Sequence, residues 1–190
     1  MANTDLNISD KHFLEGRDVE YIDCSKNTRK FDRGMPDTIV LHYTAGRDGK
    51  SSAQYLAKDN VKASAHIVID RDGSIYQLVP FDTITWHAGR SSWKGRSGFN
   101  KYSIGIEIDN AGVLTKSGEK YVAWFGKKYD ADKVIEAVHR NESQAKYWHL
   151  YTEEQIDIVE TVCELLMEQY TGIQNILGHE EIAPGRKLDP

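Results

Sequence analysis

Residues 37 to 44, Asp37-Thr38-Ile39-Val40-Leu41-His42-Tyr43-Thr44, form a short apolar and β-branched run that opens after Pro36 and closes at Gly46. A run of that length and composition is the signature of a buried strand, and it delivers His42 near its C-terminal end. A second run, Tyr102 to Asp109, alternates so that Ile104, Ile106 and Ile108 share one face of a strand while Ser103, Gly105 and Glu107 share the other. Between the two, Ser51 to Lys58 carries Ala53, Leu56 and Ala57 at helical spacing behind a serine cap. Ala65 to Asp70 and Ser74 to Val79 are strand-like runs joined by Arg71-Asp72-Gly73, and Asp-Gly favours a hairpin because both residues tolerate positive φ. Towards the C-terminus, Thr152-Glu153-Glu154-Gln155 has capping-box spacing, and Ile156, Val159, Cys163, Leu166, Met167 and Tyr170 recur at three and four residues, predicting a helix that ends near Gly172. Ile176-Leu177-Gly178 then hands over to His179 and a terminal loop bearing proline and glycine. Strands interleaved with helices predict an α/β fold in three layers.

The remaining stretches are less patterned. Residues 1–35 are polar and irregular and are read as an arm packed on a single domain spanning 36–190. Trp86 to Asn100, rich in Gly, Ser, Arg and Trp, suits an ordered loop lining a groove. Gly112 to Tyr151 is read as an excursion at the domain edge (112–151), with aromatic Tyr121, Trp124 and Phe125 and a weak helical pattern around Val134 and Val138.

A chain of 190 residues, 39% of them hydrophobic, is long enough for one well-packed domain. Its formal net charge of −5 argues against a nucleic-acid partner, since modules that hold polyanions usually carry a basic excess. Cys24 and Cys163 lie far apart, so a disulfide framework is not expected, and neither has surroundings that would depress a thiol pKa. No stretch reaches the roughly 18 apolar residues of a membrane span, and Met1 to Asp10 lacks the basic and apolar regions of a signal peptide. Cytoplasmic placement is therefore the default expectation, although a removed leader or release by phage lysis would leave the same sequence.

Three potential metal ligands stand at structural junctions: His42 at the end of a strand, His179 just after another, and Asp189 in the terminal loop. Zinc accepts imidazole nitrogen and carboxylate oxygen, and a catalytic site typically offers three protein ligands and one open position. Each residue also has a plainer reading. A lone histidine in an apolar strand is more often a satisfied core residue, Glu107 could be a solvated carboxylate, and Lys187 an ordinary surface lysine. Trp86, His87, Trp93 and Arg96 could form a sugar or peptide groove, or equally a small core under a loop. His139 and His149 are read as structural or exposed.

Taken together, Thr38 to His42, Ser64 to Gly73, Trp86 to Gly89, Ser103 to Glu107 and Gly178 to Pro190 resemble the zinc amidase family that includes N-acetylmuramoyl-L-alanine amidases, some phage lysozymes and the peptidoglycan recognition proteins of animals. The nearest branch includes the cytoplasmic amidase of cell-wall recycling, because the terminal motif ends in an aspartate where other members use cysteine. The resemblance implies a central mixed β-sheet flanked by helices, and a monomer that cuts the amide between the lactyl group of N-acetylmuramic acid and L-alanine in peptidoglycan or muropeptides. It implies His42, His179 and Asp189 as ligands of Zn2+ and Glu107 and Lys187 as catalytic. It places His66, Trp86, His87, Arg96 and Asn100 near the bound muropeptide. Several members carry a catalytic tyrosine just before the hairpin histidine, where this chain has Ala65, so Glu107 is expected to carry more of the work. Family members usually continue past the Asp-Pro pair, so more of the groove wall is expected beyond Pro190. Some relatives keep the fold without the metal, which makes a non-catalytic peptidoglycan-binding module the alternative; a phage lysin or antibacterial effector would share the chemistry and differ in delivery.

Overall fold

The computed structural model describes residues 5–190. In chain order its elements are the short pair β1 (Asn7–Ile8) and β2 (Leu14–Glu15), then β3 (Val19–Tyr21), β4 (Thr38–Tyr43), α1 (Gly49–Ala57) and the hairpin β5 (Ile67–Ile69) and β6 (Ile75–Gln77). A tight hairpin, β7 (Ser92–Trp93) and β8 (Arg96–Ser97), precedes β9 (Ser103–Ile108). The excursion holds β10 (Val113–Ser117), β11 (Lys120–Val122), β12 (Lys128–Tyr129), β13 (Val134–Val138) and β14 (Ala145–His149), followed by α2 (Glu153–Gln169), β15 (Asn175–Gly178) and the single turn α3 (His179–Ile182).

The central sheet has six strands in the order β15-β4-β9-β5-β6-β3. It is mixed: β15, β4, β9 and β5 run parallel to one another, and β6 turns back antiparallel through Asp72-Gly73, with Gly73 at φ +84°. The alternation read from β9 sorts its two faces. Ile104, Ile106 and Ile108 join Ile39, Ile67 and Ile69 against Ile158, Val162, Cys163 and Leu166 of α2. Full burial of each such side chain contributes about 1.5–3 kcal/mol. On the opposite face Val68 packs with Ala53 of α1, and Val40 with Ala88, Phe99 and Ile182. The sheet is thus the middle of three layers. No helix among the described residues is long and apolar enough to cross a membrane.

Four local expectations are corrected. Residues 1–35 are not irregular throughout: Leu6 and Leu14 enter the core, and β3 adds a strand to the central sheet alongside β6; Met1 to Thr4 lie outside the described residues. Helix α1 begins earlier than the serine cap implied, because the Asp48 carboxylate accepts from the Ser51 amide at 2.7 Å. The helical pattern around Val134 and Val138 is strand β13 of a second, five-stranded antiparallel sheet, as its β-branched residues favour. Finally, α2 keeps its capping box on Thr152 and Gln155, but its buried stripe is Gln155, Ile158, Val162, Cys163 and Leu166, leaving Ile156 49% and Met167 41% exposed. Gln155 tolerates burial because its amide donates to the Asp109 carbonyl at 2.8 Å while its oxygen accepts from the Thr152 amide.

Candidate active site

Three adjacent strands set the site. In the pairing of β4 with β9, His42 lies directly opposite Glu107, and in the pairing of β15 with β4, Gly178 lies opposite Leu41, so His179, the next residue, comes level with His42. All three groups leave the sheet at the carboxyl ends of parallel strands, where open α/β sheets generally bind ligands. Asp189 arrives from the terminal loop, which the Glu180 amide ties back by donating to the Asp189 carbonyl at 2.7 Å. His42, His179 and Asp189 are all buried and form one cluster. Their facing atoms are close: Nδ1 of His42 is 2.9 Å from Nδ1 of His179 and 3.1 Å from Oδ2 of Asp189, and Nδ1 of His179 is 2.7 Å from the same oxygen.

The outer nitrogens decide what those facing atoms are. Nε2 of His87 lies 3.1 Å from the Ser103 carbonyl, which can only accept, so that nitrogen carries the proton and Nδ1 of His87 is an acceptor. Nε2 of His42, 2.9 Å from that Nδ1, must then donate to it. Likewise Nε2 of His179 donates to the Ala88 carbonyl at 3.2 Å. Both Nδ1 atoms are left as lone pairs aimed at each other and at a carboxylate, an arrangement that repels itself unless a cation sits among them. Burial reinforces this by holding the His42 imidazole neutral, its pKa pushed down to about 4. Donors bound tetrahedrally to zinc stand about 3.3 Å apart at bond lengths of roughly 2.0–2.1 Å. The observed spacings need only a few tenths of an ångström of expansion, and the donor set fits the metal. Gly105 makes the His87 support possible, since a Cβ there would lie 2.4 Å from the imidazole Cγ.

Glu107 and Lys187 line the same groove of about 830 Å³ as the three clustered residues. Burial, then the charge of Asp189, raises the Glu107 carboxyl to about 8, while Lys187 pulls it down. His87 is also in the lining, behind His42.

Four sequence-derived candidates fall elsewhere. His66, expected near the substrate, is 0% exposed: its Nε2–H donates to the Thr83 carbonyl at 2.8 Å and its Nδ1 accepts from the Gly105 amide at 3.0 Å, with the Phe31 and Phe81 rings stacked against it. Arg96 makes a two-pronged ion pair with Asp37 at 2.5 and 2.8 Å and stacks on Tyr102. Asn100 accepts from the Ala88 amide at 2.7 Å and so braces the loop that carries His87. Trp86 is exposed but does not line the groove. In their place the walls hold Arg47, Tyr55, Trp124 and Phe125, which the sequence reading did not assign; an adjacent Trp-Phe pair in a polar excursion was the available signal.

A family model described as N-acetylmuramoyl-L-alanine amidase matches residues 32–190. Among curated proteins, the 1,6-anhydro-N-acetylmuramyl-L-alanine amidase AmpD of Citrobacter freundii is 32% identical over 149 residues, which is 78% of this chain and 61% of that protein. The chain therefore spans about three fifths of the length of that relative. A crystal structure of AmpD superposes with a TM-score of 0.62 at 26% identity, covering 95% of this chain and 90% of the other. AmiD from E. coli, in complex with the substrate anhydro-N-acetylmuramic acid-L-Ala-D-γ-Glu-L-Lys, superposes with a TM-score of 0.59 at 29% identity, covering 84% of this chain and 53% of the other. With most of its length matched by that model, the chain belongs to the N-acetylmuramoyl-L-alanine amidase family.

Proposed function

We propose that the protein hydrolyses the amide bond between the lactyl group of N-acetylmuramic acid and L-alanine in peptidoglycan or its muropeptide fragments, with zinc held by His42, His179 and Asp189. The observation that carries this reading is the convergence of two unprotonated Nδ1 atoms and a carboxylate beside Glu107 in one groove. Zinc bound there would supply a Lewis-acidic charge that polarises the scissile carbonyl and acidifies water. Glu107 takes the proton from the attacking water: its elevated pKa makes it a stronger base than an ordinary carboxylate, and a cation beside it would bring that value back towards neutrality. Lys187 offers a positive charge to the oxygen of the tetrahedral intermediate. His87 holds the His42 ring in the tautomer that faces the metal, and Glu107 then returns its proton to the departing L-alanine nitrogen. His66, Arg96 and Asn100 are assigned to shaping this wall of the site, not to touching substrate. In this reading the amidase domain, completed by the N-terminal segment whose Leu6, Leu14 and β3 pack into it, acts as a monomer in the cytoplasm, as in the recycling branch it resembles.

The test is mass spectrometry of products from anhydro-muropeptides and from intact sacculi, incubated with and without a chelator. Release of free stem peptide beginning with L-alanine, lost on chelation and restored by zinc, is the expected outcome. A preparation that holds no zinc and gains no amidase activity when zinc is added would favour the metal-free binding module instead.

A further inference from the structure

Trp124 is 79% exposed, on a chain whose other exposed aromatic rings lie nearer half covered. Its placement is nevertheless fixed. The indole N–H donates to the Ala45 carbonyl at 2.8 Å, the Phe125 ring stands edge-on at 5.6 Å and 86°, and the turn beneath is closed by amide bonds from Ala123 to Lys127 and from Gly126 to Ala123. Ala45 lies on the loop leaving the strand that carries His42, and both Trp124 and Phe125 line the groove that contains His42, Glu107, His179 and Asp189. An indole whose donor is already committed to main chain has only its face to offer.

The two halves of a muropeptide call for different chemistry. The stem peptide presents carboxylates, which the groove's Arg47, Arg186 and Lys187 suit. The pyranose presents a flat face of C–H groups, which suits an aromatic plane. Of the two strongly exposed aromatics in the lining, Tyr55 has the Lys58 ammonium 6.0 Å from its ring centre, whereas no cation covers Trp124 among the described residues. We propose that Trp124 is the sugar-stacking residue of the groove, its free indole face receiving the pyranose ring on the muramic-acid side of the scissile amide. The assignment rests on the amidase reading above.

The experiment compares the zinc-loaded protein with Trp124→Ala and Trp124→Tyr, measuring kcat and KM on an anhydro-muropeptide and the affinities of free N-acetylmuramic acid and of free L-Ala-γ-D-Glu-L-Lys by calorimetry. Trp124→Ala should raise KM about tenfold with kcat within twofold, weaken the free sugar by a similar factor, and leave the tripeptide unaffected; Trp124→Tyr should recover most of the loss. An unchanged KM and sugar affinity, or a loss confined to the tripeptide, overturns the proposal. Should the parent protein cleave no muropeptide, the amidase reading fails by itself, and the sugar affinities of parent and variants still decide whether Trp124 binds a pyranose.

Discussion

Replacing His66 by alanine distinguishes a buried brace from a substrate contact. The substitution strands the Thr83 carbonyl and the Gly105 amide in the interior and opens a space beside Phe31 and Phe81. Each buried polar group left without a partner costs about 1–3 kcal/mol, so a loss of about 3–5 kcal/mol in unfolding free energy is expected near pH 7.5. The loss also has a pH signature. Burial, acting against the bonds to Thr83 and Gly105, depresses the His66 pKa from 6.5 to about 4. The unfolded chain therefore takes up a proton at this residue below pH 6.5 that the folded protein refuses until about pH 4, and stability falls as the pH drops through that window. At 1.36 kcal/mol per unit, the component amounts to about 3 kcal/mol in full, with about 2 kcal/mol gone by pH 5. The variant lacks it, so the stability gap between parent and variant should narrow by about 2 kcal/mol between pH 7.5 and pH 5. Urea unfolding of both proteins, stripped of metal so that protonation of the ligands cancels, reads the gap directly. A gap constant with pH, or a variant of normal stability with a raised KM, would refute the assignment.

Lys187→Ala should lower kcat by about a hundredfold or more with zinc content by metal analysis unchanged, the cost of removing one charge aimed at the oxyanion. Glu107→Gln keeps the shape but not the proton acceptor; turnover should fall by about 10²–10⁴-fold. In the parent, activity should rise with pH as the carboxyl ionises, and that rise should vanish in the variant's rate profile. Thr152→Ala removes the oxygen that accepts from the Gln155 amide and should cost about 1 kcal/mol, seen as a lower urea midpoint with kcat unaltered.

What could be read from the sequence follows the range over which the forces act. The strands around His42 and Glu107, the Asp72-Gly73 turn and the Thr152 capping box were legible because their signals are local. The face of α2 was misphased because a polar residue, Gln155, occupies a fully buried position by virtue of a hydrogen bond to a distant carbonyl. Strand β3 is three residues long, too short to show a period. For the site, His42, His179 and Asp189 were each weak alone, and only the resemblance joined them, since neither the strand register that brings His42 and His179 level nor the loop bond that brings in Asp189 is written in any one segment. That His66 is buried against main chain was illegible for a related reason: its partners are a main-chain carbonyl and a main-chain amide, atoms every residue possesses.

Register also confers a kind of modularity. Side chains along a strand alternate between faces, so the level at which His42, Glu107 and His179 meet can change only in whole-residue steps, and a step of one would carry a group through to the far side of the sheet. The spacing of the three is thus insulated from the lengths of the connections between their strands. The five strands of the excursion sit in one of those connections, and because closing a longer loop costs little, such an addition can reshape the groove's rim with Trp124 while leaving the ligand spacing as it was. Recognition and chemistry in this protein are therefore free to vary separately.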